Sequence, residues 1–319
     1  MSVYYSLDNL PKHLRGSVIT IGNFDGVHRG HQALIKTLGE IKKEGYAGVL
    51  TFSPHFVEYL RPEKKLFRLS SDAQKADLLI KYGADFVVIQ KLGEEFLNLS
   101  PADFINKILK EKLGARELVV GDDFCFGKNA EGSLADLADA AQKGAFKLHI
   151  ISGKKESDER CSSSAIRKYL SQGDLLSAQK MLGRCFSVQG HVKKGQGIAQ
   201  GLGFGTANIL PEENFGLRRG VYATFTRVNN INYPSATNVG VRPSVSETPI
   251  LTIETHCLDQ KLDLRDCELE IFFIKRIRDE IKFDSLEALK LQVQKDLAHI
   301  RQILNGHSLE KFCALDRAD

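Results

Sequence analysis

The pattern of apolar residues changes once along this chain, near residue 183. Before that point, short runs rich in Val and Ile alternate with helical patterns. These runs lie near residues 18–22, 47–52, 85–90, 117–121 and 146–151. After it, from Cys185 to about Ile277, one strand-like run follows another, separated by Gly, Asn, Asp and Pro. The first half therefore predicts a doubly wound, mostly parallel, Rossmann-like α/β sheet, and the second half predicts an antiparallel barrel or sandwich.

A chain of 319 residues is long for a single hydrophobic core, so we expect two domains, 1–183 and 184–319. Two short helices, about 162–171 and 174–182, are predicted to close the first domain. One amphipathic helix, from about Ser285 to Leu304, is predicted to pack against the barrel. The sequence does not indicate a role for the last residues, 305–319, for which a mobile tail is one interpretation.

Charge and composition restrict the partners. The net charge is +4 without a polybasic run, which favours small anionic substrates over nucleic acid. The six cysteines are scattered, with no C-x-x-C pair, and indicate reduced thiols rather than a zinc site. No apolar run approaches the roughly 20 residues that span a bilayer, and no signal peptide is recognisable, so we expect a cytoplasmic protein. Oligomeric state is left open by the sequence.

The segment Val18–His31, VITIGNFDGVHRGH, predicts a buried strand, a turn and a helix that opens at two histidines. His28 and His31 are three residues apart, so their side chains share one helix face. A helix N-terminus offers free N–H groups and partial positive charge, which suits a nucleotide phosphate. The alternative is a pair of ordinary surface histidines.

Three further segments, 51–55, 121–127 and 162–167, follow predicted strands and should return to the same sheet edge. The last combines serine hydroxyls at a helix start with Arg167, whose planar guanidinium suits phosphate oxygens, although an ordinary serine cap would look similar. Segment 121–128 lacks the spacing of a P-loop. Together these residues suit nucleotidyl transfer, because an anionic phosphate that attacks the α-phosphorus of ATP needs no general base.

A second candidate site lies in the barrel half. The segment 195–208 is glycine-rich, which lets backbone approach phosphates closely, although such loops are often simple turns. Thr206 and Asn208 offer oxygen ligands for Mg²⁺. Glu254 interrupts the apolar strand run 250–257 and would serve as a general base if the acceptor were a sugar hydroxyl.

Taken in order, the motifs of this chain resemble those of the prokaryotic bifunctional riboflavin kinase/FMN adenylyltransferase (FAD synthetase) family over nearly its whole length. In the first half they are GNFDGVHRGH, TFSPH, FRLSS, LSPADFI, GDDFCFG and SSSAIR. In the second half they are GLGFGTAN, GVYAT, NVGVRPS, ETHCLD and IRDEIKFDSLEALKLQVQKDL. The resemblance implies a nucleotidyltransferase-type α/β domain followed by a six-stranded antiparallel barrel with a C-terminal helix. It also implies MgATP-dependent conversion of riboflavin to FMN in the barrel and of FMN to FAD in the α/β domain.

The resemblance also implies residue roles. In the adenylyltransferase, ATP phosphates would be held by His28, His31, Ser162, Ser163 and Arg167, with Asn23 beside the reacting phosphates. Asp123, Phe124 and Phe126 would lie near the flavin. In the kinase, Thr206 and Asn208 would bind Mg²⁺–ATP and Glu254 would be the base. The rest of the predicted nucleotide- or substrate-binding set is Phe24, Asp25, Gly26, Ser164, Gly195, Gly197 and Gly203.

Departures from the family pattern keep two alternatives open. Gly205 stands where the kinase motif normally has proline, which favours an adenylyltransferase whose barrel only binds flavin. Ala130 stands where an arginine is usual, which favours a flavin- or nucleotide-binding protein without turnover. Ser164 in place of threonine and Phe56 in place of proline are milder changes.

Overall fold

The computed structural model describes residues 2–156, 159–193, 206–211, 214–242, 250–260 and 262–314. The chain forms two compact units, Met1–Ser162 and Ser163–Asp319. The two predicted short helices are present and belong to the second unit, together with the barrel strands. A functional boundary near residue 183 stays a prediction.

The first unit contains a parallel sheet of six strands among its described residues. They are β1 (Ser2–Tyr4), β2 (Val18–Ile21), β3 (Ala47–Ser53), β4 (Phe86–Lys91), β5 (Glu117–Gly121) and β6 (Lys147–Ile151). Their order is β1-β4-β3-β2-β5-β6, and every neighbouring pair is parallel. The predicted doubly wound α/β sheet is confirmed. Sequence analysis missed only β1, since three residues are too few to show a pattern.

Helices connect these strands. They are α1 (Arg29–Ile41), α2 (Phe56–Leu60), α3 (Asp72–Lys81), α4 (Glu94–Leu97), α5 (Pro101–Asp103), which continues as a π-helix (Phe104–Lys112), and α6 (Leu134–Gln142). Single 3₁₀ turns lie at Leu7–Asn9, Lys12–Leu14 and Lys128–Ala130, and a small hairpin joins β7 (Lys155–Glu156) to β8 (Glu159–Arg160). Adjacent strand residues such as Leu118 and Val119 belong to different apolar clusters, so the sheet is buried on both faces.

The strand order reverses at β2, which lies between β3 and β5. Connections that leave neighbouring strands in opposite directions open a crevice at the carboxyl ends of those strands, where α/β sheets bind ligands. The segments that follow β2 and β5 therefore border the crevice, and both contain predicted site residues.

The second unit begins with α7 (Ser163–Gln172) and α8 (Leu175–Leu182) and continues into a closed antiparallel barrel. Its strands are β9 (Phe186–Lys193), β10 (Ala207–Ile209), β11 (Gly220–Val228), β12 (Ile231–Arg242), β13 (Ile250–Cys257) and β14 (Glu268–Arg278). Their order around the barrel is β10-β13-β12-β11-β14-β9. The antiparallel barrel of six strands that was expected is confirmed.

The C-terminal helix α9 (Leu286–Leu304) begins after the cap Ser285, as predicted. Its buried residues Leu297 and Ile300 join an apolar cluster with Ala223 and Phe225 of β11. The helix therefore completes the core on the outside of the barrel.

The expectation of reduced thiols is wrong for two cysteines, and the structure answers the question that the sequence left open about the C-terminus. Cys185 and Cys313 are joined by a disulfide across a sequence separation of 128. Residues 305–314 are not a mobile tail, because α10 (Leu309–Cys313) packs on the barrel and the carbonyl of Phe312 accepts a hydrogen bond from Gln179. Spacing along the chain could not reveal a pairing that only the fold brings together. Among the described residues, no helix is long and apolar enough to cross a membrane.

Candidate active sites

The turn after β2 has an unusual backbone. Phe24, Gly26 and Val27 have φ angles of 50°, 76° and 40°. Glycine adopts positive φ freely, but a β-branched residue such as Val27 does so only at a conformational cost. Such conformations persist where the surroundings impose them, and they cluster at functional sites.

Asp25 and Ser70 impose this turn. Asp25 is buried, and its Oδ1 accepts hydrogen bonds from the backbone N–H groups of Leu69 (3.0 Å) and Ser70 (3.3 Å). The N–H of Gly26 donates to the hydroxyl of Ser70 at 3.1 Å. The carboxylate thus ties the turn to the segment that leads into α3, which is a positioning role. Sequence analysis predicted Asp25 as a nucleotide- or substrate-binding residue, and that role stays a prediction beside the positioning role that these contacts show.

Asn23 lies at the carboxyl end of β2. The Thr51 hydroxyl donates to the Asn23 carbonyl at 3.0 Å and fixes the backbone there. The side-chain Oδ1 of Asn23 is buried and has no hydrogen-bond partner among the described residues. A buried acceptor without a donor is costly, so this atom is suited to a donor that arrives with a ligand.

The two histidines of the first site lie together at the start of α1. His28 is the N-cap residue, its Nδ1 accepts from the N–H of His31 at 3.4 Å, and the rings stack with centroids 3.6 Å apart. The ring of Phe24 lies edge-on against His31, with 5.0 Å between centroids. The Phe24 side chain is fully buried in the core and packs against His31, while its predicted part in substrate binding stays a prediction.

The segment after β5 carries the residues predicted to lie near the flavin. Arg160 on the small hairpin pairs with Asp122 at 2.6 Å and with Asp123 at 3.0 Å. Phe124 is half-buried and stacks on Phe126, which is itself buried in the core. Phe124 and Asp123 are therefore accessible to a ligand, whereas Phe126 supports them from inside.

The serine-rich segment spans the division between the two units. Ser162 is the last residue of the first unit, and α7 of the second unit begins at Ser163. Ser164 is exposed and Arg167 half-buried within this helix. Serine hydroxyls therefore lie at the start of this helix, as both the predicted phosphate site and its alternative, an ordinary serine cap, require.

The barrel site is built from strand register. Asn208 on β10 and Asn238 on β12 both pair directly with Glu254 on the intervening β13. Directly paired residues point to the same face of a sheet, so one carboxylate lies between two amides. Thr252, two residues before Glu254 on this face, places its hydroxyl 3.5 Å from the Glu254 carboxylate.

Sequence analysis missed three polar residues of this face, namely Thr252, Asn238 and Glu280. Asn238 lies within the run SATNVGV, where asparagine is disfavoured in a strand, and that signal could have identified it. The Glu280 carboxylate packs directly over Gly240, beside the Asn238 amide. Glu280 lies beyond the end of β14, so only the fold brings it here. Of the glycine-rich segment, Gly195, Gly197, Gly203 and Gly205 lie outside the described residues.

The side chains of the barrel site fit magnesium. Thr206 directly precedes β10 and Asn208 is buried within it, so a hydroxyl and an amide oxygen lie two residues apart. Both are hard oxygen donors of the kind Mg²⁺ uses. Within the described residues no group of three His, Cys, Asp or Glu side chains could hold a metal. A magnesium ion held by these two oxygens would take its other ligands from water or from substrate, as is usual for this ion.

Comparison with known proteins matches both halves of the chain. The sequence profile of the FAD synthetase family matches residues 10–165, and that of the riboflavin kinase family matches residues 182–304. The two matches follow the same order as the two folds.

Curated relatives match over the full length. A protein of Pseudomonas fluorescens is 36% identical over 95% of this chain and 98% of its own. Proteins of Buchnera aphidicola subsp. Acyrthosiphon pisum and Escherichia coli K12 are each 34% identical, over 96% and 92% of this chain and 99% and 93% of their own. All three are described as bifunctional riboflavin kinase/FMN adenylyltransferases.

A solved structure shares the fold. A crystal structure described as a macrolide-efflux protein from Streptococcus pneumoniae matches with a TM-score of 0.83, covering 94% of this chain and 98% of that one. Its sequence identity is 22%, so this likeness concerns the architecture alone.

Proposed function

Because this chain belongs to the family of bifunctional riboflavin kinase/FMN adenylyltransferases, we propose that it makes FMN from riboflavin and ATP, and then FAD and pyrophosphate from FMN and a second ATP. The observation that carries the proposal is the presence of two separate polar clusters in one chain. One is the stacked pair of imidazoles at the start of α1. The other is the carboxylate of Glu254 between two asparagines on the barrel.

In the kinase reaction, Glu254 is the general base. Its carboxylate accepts the proton of the terminal ribityl hydroxyl while that oxygen attacks the γ-phosphorus of ATP; the bond from the γ-phosphorus to the β–γ bridging oxygen breaks, and ADP leaves. The flanking amides of Asn208 and Asn238 restrict where the carboxylate lies. When bound, Mg²⁺ would neutralise phosphate charge, and Thr206 and Asn208 are the residues that would hold it.

In the adenylyltransferase reaction, no base is required, because the attacking phosphate of FMN is already anionic. The demand is for positive charge where the α-phosphate and pyrophosphate gain negative charge. The N–H groups at the start of α1 supply partial positive charge, and His28 and His31 supply ring N–H donors to the phosphate oxygens. The buried Oδ1 of Asn23 accepts a hydrogen bond from a hydroxyl or amino group of the substrate.

Further ligands come from the family motif. Ser162, Ser163, Ser164 and Arg167 bind additional phosphate oxygens, and Asp123 and Phe124 contact the flavin. Phe24, Asp25 and Phe126 act from the interior, where their contacts lie. Riboflavin, FMN and ATP are the small-molecule partners; cytoplasmic localisation stays a prediction.

Two substitutions test the two activities separately. Glu254→Gln keeps the shape of the side chain but cannot accept the proton, so FMN formation should fall at least about a hundredfold. The same protein should still convert supplied FMN to FAD at the parent rate. Chromatographic separation of flavins after incubation with ATP and Mg²⁺ measures both.

His28→Ala is the reciprocal variant. It should abolish FAD formation and leave FMN formation from riboflavin intact. FMN formation at the parent rate in Glu254→Gln would contradict the role of the carboxylate. If the parent protein adenylylates FMN but leaves riboflavin unchanged, the barrel only binds flavin. If the parent protein binds flavin but forms neither product, the chain is a flavin-binding protein without turnover.

A further inference from the structure

The interior of the barrel contains a closed ring of five hydroxyl groups. Its members are Thr224 and Thr226 on β11, Ser235 and Thr237 on β12, and Thr255 on β13, and all five are completely buried. In ring order, the oxygen–oxygen distances are 2.9 Å (Thr224–Ser235), 2.8 Å (Ser235–Thr226), 2.9 Å (Thr226–Thr255), 3.0 Å (Thr255–Thr237) and 2.8 Å (Thr237–Thr224).

The five hydroxyls hydrogen-bond chiefly to one another. Each carries one proton and can accept from its neighbours, and the Thr224 hydroxyl also lies 3.0 Å from the Ser235 carbonyl, a second acceptor for its proton. Hydrogen bonds in such a chain polarise one another, and their geometry is directional. Removal of the Thr255 hydroxyl takes away the acceptor to which Thr237 donates and the hydrogen-bond partner of Thr226, and both of these hydroxyls are completely buried.

Stability alone does not account for hydroxyls here. Valine has nearly the shape of threonine, favours strands and would bury more apolar surface. Replacing both partners of a buried hydrogen bond by apolar groups of the same shape is close to neutral. What hydroxyls add is a directional restraint among the three strands, beyond the backbone ladder.

The restraint acts next to the kinase residues. Thr255 is the one member of the ring on β13, and it directly precedes His256 and follows Glu254. Thr237 likewise precedes Asn238 on β12. Because side chains alternate along a strand, Thr255 pointing inward directs Glu254 outward, to the face shared with Asn208 and Asn238.

We propose that this hydroxyl ring is a positioning device for phosphoryl transfer, which holds β13 so that Glu254 meets the ribityl hydroxyl in a productive geometry. The inference rests on the proposed function of Glu254. Because all five hydroxyls are completely buried, the ring acts through the carboxylate and not by direct contact with substrate.

The test compares three variants of the full chain. Thr255→Val opens the ring without changing side-chain shape, Thr255→Ser keeps the hydroxyl, and Ile271→Val removes one methylene from a buried side chain on β14, outside the ring. We expect Thr255→Val to lower kcat for riboflavin at least tenfold while KM stays within twofold of the parent. Thr255→Ser should recover kcat to within twofold, and conversion of FMN to FAD should not change in any variant.

Ile271→Val separates positioning from general destabilisation. It should lower Tm by an amount similar to that for Thr255→Val, yet keep the parent kcat. A kcat for Thr255→Val equal to that of the parent would overturn the proposal. The same kcat loss in Ile271→Val as in Thr255→Val would overturn it too, since any weakening of the barrel would then suffice.

Backbone hydrogen exchange measures the restraint on β13 independently of catalysis. Peptides that cover Ile250–Cys257 should exchange faster in Thr255→Val than in Thr255→Ser, and equal exchange would overturn the restraint. Glu254→Gln, assayed in parallel, tests the proposed function separately. If this variant forms FMN at the parent rate, Glu254 is not the base. The hydrogen-exchange rates of Ile250–Cys257 decide in either case whether the ring holds β13.

Discussion

Gly30, which has no side chain, leaves the space that the His28 imidazole occupies in the first site. A Cβ built at this position would lie 3.1 Å from the Cε1 and Nδ1 atoms of His28. Gly30→Ala should therefore displace the imidazole by a few tenths of an ångström. Because small misplacements in a site are costly, we expect FAD formation to fall about tenfold, with FMN formation unchanged. Steady-state rates of both reactions measure the effect.

Gly39 is the matched control for that change. It lies in the same helix, α1, and a Cβ there would meet nothing within 4 Å. Gly39→Ala should raise the free energy of unfolding by about 0.5–1 kcal/mol and leave both activities alone, since alanine favours the helix. Loss of FAD formation in Gly39→Ala to the extent seen in Gly30→Ala would show that the helix, not the contact with His28, is what matters.

Residue spacing predicted part of the first site and not the rest. The spacing of His28 and His31 places both rings on one helix face, and the structure stacks them. A motif does not indicate which of its side chains point inward. Phe24 and Phe126, which the motifs predict as substrate-binding residues, have buried side chains. That distinction depends on packing against elements distant in sequence, which no local pattern contains.

At the scale of elements, the turn after β2 depends on Asp25. Asp25→Ala would leave the N–H groups of Leu69 and Ser70 without their buried acceptor. We expect a loss of about 2–3 kcal/mol in the free energy of unfolding, together with impaired FAD formation. Denaturant titration and the flavin assay measure these effects.

Asp77 provides the comparison for Asp25. It is exposed on α3, so Asp77→Ala should change stability by less than about 0.5 kcal/mol. Equal stability of the two variants would show that the Asp25 clamp contributes nothing. A stable Asp25→Ala protein that fails only to bind ATP would instead favour the direct nucleotide contact.

Element type was predictable where a pattern was long enough. The Val- and Ile-rich runs predicted β2 to β6 because strands buried on both faces are continuously apolar. β10 was hidden, since three residues after a glycine-rich segment show no alternation. Yet β10 closes the barrel and places Asn208 beside Glu254. The arrangement of the second site therefore could not be predicted without the pairing register of β10 with β13.

At the scale of the whole molecule, the disulfide from Cys185 to Cys313 ties α10 to the start of the barrel. It closes a long loop, for which the chain-entropy account gives up to about 5 kcal/mol of stability. Reductant should therefore lower the unfolding midpoint of the parent but not that of Cys313→Ser. Cys125→Ser, at an exposed free cysteine, is the control and should remain sensitive. A parent protein insensitive to reductant would contradict a stabilising bond.

The two activities use different residues, so two defective chains should complement each other. Glu254→Gln lacks only the kinase and His28→Ala only the adenylyltransferase. An equimolar mixture given riboflavin, ATP and Mg²⁺ should form FAD after a lag, because FMN made by one chain must reach the other through solvent. Neither variant alone should form FAD from riboflavin. Addition of FMN at the start should remove the lag. A mixture that accumulates FMN without FAD would show that FMN does not pass between chains, and one that forms neither would contradict the assignment of the two reactions to these residues.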